Sequence, residues 1–111
     1  HPPVPGTVVS RKRLLDQHAL FEVLAHRGAE LILHGHAHQS YDQQLSTPQG
    51  DIPVIGVTSA SAIGSKPGRQ AQYHLYRFIR KEDGWRLEIE VRGLVKGEGY
   101  FENQGGRCLE L

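Results

Sequence analysis

Three of the seven histidines fall in one six-residue string, Leu33-His34-Gly35-His36-Ala37-His38. Alternate side chains of an extended backbone leave on the same side, so two imidazoles separated by one residue at a strand end can aim at a common point. That geometry suits a metal ion. Gly35 removes a side chain where the backbone must turn close to an ion, and Ala37 keeps bulk out of the cluster. Taken alone, the His-x-His pair reads equally well as two strand histidines with other duties.

The elements that must position this string lie on either side of it. Upstream, Leu15, Ala19, Leu20, Val23 and Leu24 recur at three- and four-residue intervals, which predicts an amphipathic helix running on from Arg11. Ser10 is its expected cap and Gly28 its stop. Residues 31–34 then have the bulk of a short buried strand that breaks at Gly35. Before the helix, residues 1–10 hold three prolines and a glycine and suit an extended loop leaving another strand.

Downstream, residues 41–45 predict a strand, 47–51 a turn, and 52–57 a second strand with Pro53 near its edge. A loop over 58–68 follows. The clearest hairpin has arms 72–80 and 85–92 around Lys81-Glu82-Asp83-Gly84. In its second arm Trp85, Leu87, Ile89 and Val91 alternate with Arg86, Glu88, Glu90 and Arg92, so one face is expected to be buried and the other solvated. Trp85, Tyr73, Tyr76 and Phe78 read as sheet-packing aromatics. Residues 108–111 predict a last edge strand.

Length and charge narrow the function classes. A chain of 111 residues is one folding unit or part of one. Thirteen Lys and Arg against twelve Asp and Glu, with both signs spread along the chain, give no electrostatic footprint for a nucleic-acid duplex or an anionic membrane. No apolar run approaches the ~20 residues of a membrane span. A single cysteine, Cys108, and the lack of a signal-peptide pattern point to a reducing compartment, the cytoplasm. The chain opens on His1 and holds no methionine, which predicts a fragment.

A strand of bulky aliphatics ending in Gly35-His36-Ala37-His38, preceded by a helix and, before that, by His1-Pro2-Pro3, resembles the C-terminal part of the calcineurin-like metallophosphoesterases. Within them it is similar to bacterial members of the cyclic-nucleotide-phosphodiesterase type. The Gly-His-x-His string matches the family's final motif, and His-Pro-Pro matches the place of its lone histidine ligand. The resemblance covers His1 to about Val95 and is less specific after Ala60. The family's earlier Asp-x-His, Gly-Asp and Gly-Asn-His motifs are missing. Asp16-Gln17-His18 spells the first of these, but inside a helix residues two apart diverge and cannot share an ion. Gly50-Asp51 follows the histidine cluster and is read as part of a turn.

The resemblance implies an α/β fold, one portion of an α/β/β/α sandwich: a mixed sheet, one amphipathic helix and a C-terminal antiparallel hairpin, with residues 1–111 as a single unit. It implies hydrolysis of a phosphomonoester or phosphodiester by metal-bound hydroxide, with two divalent ions of Mn, Fe or Zn in the complete enzyme. His1 and His36 would hold one metal and His38 the other, while a carboxylate from the N-terminal half bridges them. Neutral imidazole suits such ions because it adds no negative charge to blunt their Lewis acidity.

The fragment alone would hold no metal or one and be inactive. Its partners would be the N-terminal half and the phosphoester, and strand edges left open would favour self-association. Ser59 and Ser61 would line the pocket, and His34 would stand behind the ligands or in the pocket wall. Two alternatives remain at this point: a non-catalytic interaction domain binding one structural metal, and a domain whose histidines hydrogen-bond only to protein. His18, His26 and His74 read as surface or boundary residues, Arg69 as a solvated loop residue, and Cys108 as inert for want of an activating neighbour.

Overall fold

The structure, a computed structural model, describes residues 3, 14–63 and 69–111. It is a mixed α/β protein, mostly strands, with one helix and two three-stranded sheets. The chain divides into two compact units between Thr58 and Ser59. None of the described helices is long and apolar enough to cross a membrane.

In the first unit, helix α1 spans Gln17–Arg27. Its expected cap, Ser10, lies outside the described residues; Asp16 holds the N-cap position without a side-chain bond. Gly28 stops the helix as predicted, at φ +73° with its N–H donating to the Leu24 carbonyl at 2.8 Å. The Gln49 amide donates to the His26 carbonyl at 2.7 Å and so satisfies another acceptor of the last turn.

The buried stripe differs from the predicted one. Phe21 and Leu24, with Ala29 and Ile32, pack against the buried trio Leu45, Ile52 and Val54. Leu15, Leu20 and Val23 stay exposed, Leu15 at 89%. The aromatic ring of Phe21 brings the largest apolar surface on the helix, and turning that ring inward rotates the predicted stripe off the core.

Strand β1 (Ile32–His34) leads into the sheet, followed by β2 (Tyr41–Thr47) and β3 (Gly50–Gly56). β2 and β3 form a hairpin around Pro48-Gln49. The Thr47 hydroxyl donates to the Gly50 carbonyl at 2.8 Å and accepts from the Gln49 N–H at 3.2 Å. β3 is the central strand, antiparallel to β2 and parallel to β1, with Ile32, Leu33 and His34 opposite Val54, Ile55 and Gly56. Pro53 is therefore in a central strand rather than at a sheet edge. It falls just before the stretch that β1 covers, where a missing donor on that flank costs no ladder bond. Gly50-Asp51 opens β3 instead of sitting in the turn.

The second unit is an antiparallel meander of β4 (Gln72–Lys81), β5 (Gly84–Leu94) and β6 (Phe101–Glu110). The hairpin appears where its alternation placed it, and β6 starts well before the expected four-residue edge strand. Leu87 and Ile89 are buried, and Arg86, Glu88, Glu90 and Arg92 are half-buried on the other face. There Arg77 reaches Glu88 at 3.2 Å and Lys81 reaches Glu110 at 3.0 Å. The aromatics are less buried than predicted. Phe78 and Trp85 share the Leu87 face but lie toward the hairpin tip, while Tyr73 sits on the charged face against Phe101, ring centroids 5.1 Å apart. Only Tyr76 of the four is half-buried.

Candidate metal centre

The parallel pairing of β1 and β3 sets the geometry. Their carboxyl ends lie side by side, and the Val57 N–H continues the pairing to the His34 carbonyl at 3.4 Å. The segments leaving both strands thus emerge at one end of the sheet, the end where open α/β sheets bind ligands.

The Gly35-His36-Ala37-His38 string leaves β1 there through a tight turn. The Ala37 N–H donates to the Gly35 carbonyl at 2.8 Å, and His36 between them has φ +67°. An i to i+2 bond around a residue of positive φ marks the rarer, strained hand of γ-turn. His38 is left-handed as well, at φ +54°. Ala37 is buried and both flanking histidines are exposed. Two consecutive alternate residues in a conformation that L side chains seldom hold represent about 1–3 kcal/mol of strain each, the kind that clusters at functional sites.

Behind the turn, the His34 imidazole is half-buried over the bare Cα of Gly56 and against Tyr41, ring centroids 5.4 Å apart. Its Nδ1 lies 3.3 Å from the Gly35 carbonyl. Burial pushes this imidazole below its ordinary pKa, opposed in part by the bond to Gly35. The Tyr41 hydroxyl in turn accepts from the Gln39 amide.

Of the predicted site residues, His34 ends β1, His36 is the centre of the turn and His38 follows it, while His1 lies outside the described residues. Ser59 and Ser61 open the second unit with their hydroxyls 3.1 Å apart, the Ser61 N–H donating to the Ser59 Oγ at 3.3 Å. Among the described residues no three His, Cys, Asp or Glu side chains are grouped so as to hold a metal ion. The extended backbone expected to aim both rings at one point stops at His34, and His36 and His38 both follow it at positive φ.

Other assignments can be checked directly. Asp16 and His18 lie at the start of the helix, and His18 and His26 each stand 3.8 Å from Glu22 on its exposed side, as surface residues. His74 is a boundary residue, half-buried, with Nδ1 3.0 Å from the Tyr76 hydroxyl. Burial first and Arg107 second lower its pKa, and burial raises that of Tyr76. Cys108 is exposed, and it does have a cationic neighbour, Arg86, whose Nη2 donates to Sγ at 3.4 Å. The strand pairing that brings these residues near each other is what the sequence pattern missed. The γ-turn had one visible signal, Gly35 before a His-x-His, and Gly56 in an otherwise bulky strand marked the seat of His34.

No protein family, curated protein or solved structure matches the chain.

Proposed function

We propose that the chain is the C-terminal portion of a metallophosphoesterase of the calcineurin-like type, hydrolysing a phosphomonoester or phosphodiester. The observation that carries this reading is the strained turn at the carboxyl end of the parallel strand pair, which presents His36 and His38 on either side of buried Ala37. His1 and His36 would hold one metal and His38 the other. When bound, a divalent pair lowers the pKa of water and offsets charge on the phosphoryl oxygens.

The chain's own contribution is positional. The turn holds two imidazoles at the solvent-facing end of the sheet, and Ala37 fills the space beneath them without competing for the site. The fold that goes with this reading would be the family's α/β/β/α sandwich. The N-terminal half of the enzyme would supply the bridging carboxylate, and the location would be cytoplasmic.

The experiment is hydrolysis of bis-p-nitrophenyl phosphate and p-nitrophenyl phosphate by the complete polypeptide with Mn or Zn, then by His36→Ala and His38→Ala. Loss of turnover in both variants with folding intact supports the reading, and unchanged turnover rejects it. The second reading is a non-catalytic domain binding one structural metal. Two ions per complete polypeptide would support the enzyme, and one the structural domain.

A further inference from the structure

We propose that His34 is a positioning residue for His36, acting through the carbonyl of Gly35; this rests on the metal reading above. That carbonyl accepts two hydrogen bonds, from the Ala37 N–H at 2.8 Å and from His34 Nδ1 at 3.3 Å. A carbonyl oxygen only accepts, so Nδ1 carries the proton and Nε2 is left as a lone pair. The first bond closes the turn centred on His36, and the second ties the same oxygen to a side chain anchored in the sheet.

The anchor is firm for a sequence reason. Register places His34 opposite Gly56, and the ring occupies the room that a Cβ at 56 would take, with Tyr41 along another side. The orientation of Nδ1 is thus set by strand pairing rather than by the loop. A turn at positive φ relaxes readily unless its surroundings over-determine it, and His34 supplies that constraint from within the chain. Residues that orient ligands in this way commonly change metal affinity by about 10–100-fold when replaced.

Donor and bulk can be separated at this position. His34→Asn keeps a donor for the Gly35 carbonyl and loses the ring, whereas His34→Leu keeps apolar bulk and loses the donor. Co(II) is titrated into the complete polypeptide, following ligand-field absorption, with far-UV circular dichroism of the metal-free proteins as the folding control. Positioning through the bond predicts that His34→Leu weakens Co(II) binding by about tenfold or more and shifts the absorption band, while His34→Asn stays within about threefold of the unmodified chain. A His34→Leu chain that binds like the unmodified one, or a His34→Asn chain that binds more weakly than His34→Leu, overturns the positioning role and leaves the metal reading standing. An unmodified complete polypeptide that binds no Co(II) overturns the metal reading first and this inference with it.

Discussion

The imidazole of His34 fills the space that Gly56 leaves open: a Cβ on residue 56 would come 2.5 Å from Cε1 and 2.8 Å from Nε2 of the ring, and 3.1 Å from the Cβ of Tyr41. Strand pairing fixes the two residues opposite each other, so neither backbone can step aside without breaking the β1–β3 register.

Gly56→Ala should therefore destabilise the first unit by about 1–3 kcal/mol, the usual cost of overpacking a closed site. His34→Ala in the same chain removes the obstructing ring and should recover most of that loss. Urea unfolding of the two single variants and the double variant gives the coupling, expected at about 0.5–3 kcal/mol for side chains in contact. Strictly additive losses would mean that the ring sits elsewhere in solution.

The core of the first unit makes a sharper contrast. Ile52, 3% exposed, joins Leu45 and Val54 beneath Phe21 and Leu24, so Ile52→Ala should cost about 2–5 kcal/mol. Leu15 belongs to the apolar stripe read from spacing yet is 89% exposed. Leu15→Ala should stay within about 0.5 kcal/mol of the unmodified chain. Equal losses at the two positions would restore the stripe predicted from spacing and displace the observed one.

The helix shows how far spacing alone reaches. Its existence, its stop at Gly28 and the strand after it were legible, because period, glycine and apolar bulk are local signals. Which face turns inward was not, since Phe21 competes with four aliphatics and the outcome depends on what lies across the interface. The same limit applies to the site. His36 and His38 could be named from Gly-His-x-His, whereas the seat of His34 on Gly56 follows from a parallel pairing between segments twenty-two positions apart. The hairpin of β4 and β5 was readable for the opposite reason, its pairing being local and its alternation regular. The contact of His74 with Tyr76 was less legible, because burial of the strand face they share depends on the neighbouring strands.

His74 carries a pH dependence whose sign is fixed. Burial and Arg107 lower its pKa in the folded chain below the ordinary 6.5, so the unfolded chain binds more protons as pH falls through that value. Its contribution to stability is complete above about pH 6.5 and is lost on acidification toward the folded pKa. Tyr76 on its own strand, Val91 opposite it and Arg107 on β6 face it, and none of them supplies a compensating negative charge. Thermal unfolding of the unmodified chain and of His74→Gln should therefore diverge in slope between about pH 7 and pH 5, the range in which imidazole titrates. Parallel curves would place His74 in solvent.

His36 offers a test that separates a functional histidine from a structural one. At φ +67° an L residue is strained, and glycine relieves that cost of about 1–2 kcal/mol at an entropic expense of about 0.5–1 kcal/mol in the unfolded chain. If the imidazole is held there for a ligand, His36→Gly should leave the metal-free chain as stable or up to about 1 kcal/mol more stable, while Co(II) binding is lost. His36→Val, a β-branched residue that tolerates positive φ poorly, should instead destabilise the chain by about 1–3 kcal/mol. Chemical unfolding of the three metal-free proteins decides the matter. If His36→Gly unfolds as easily as His36→Val, the imidazole is a structural part of the turn, bonded to protein, and the strain at residue 36 loses its functional meaning.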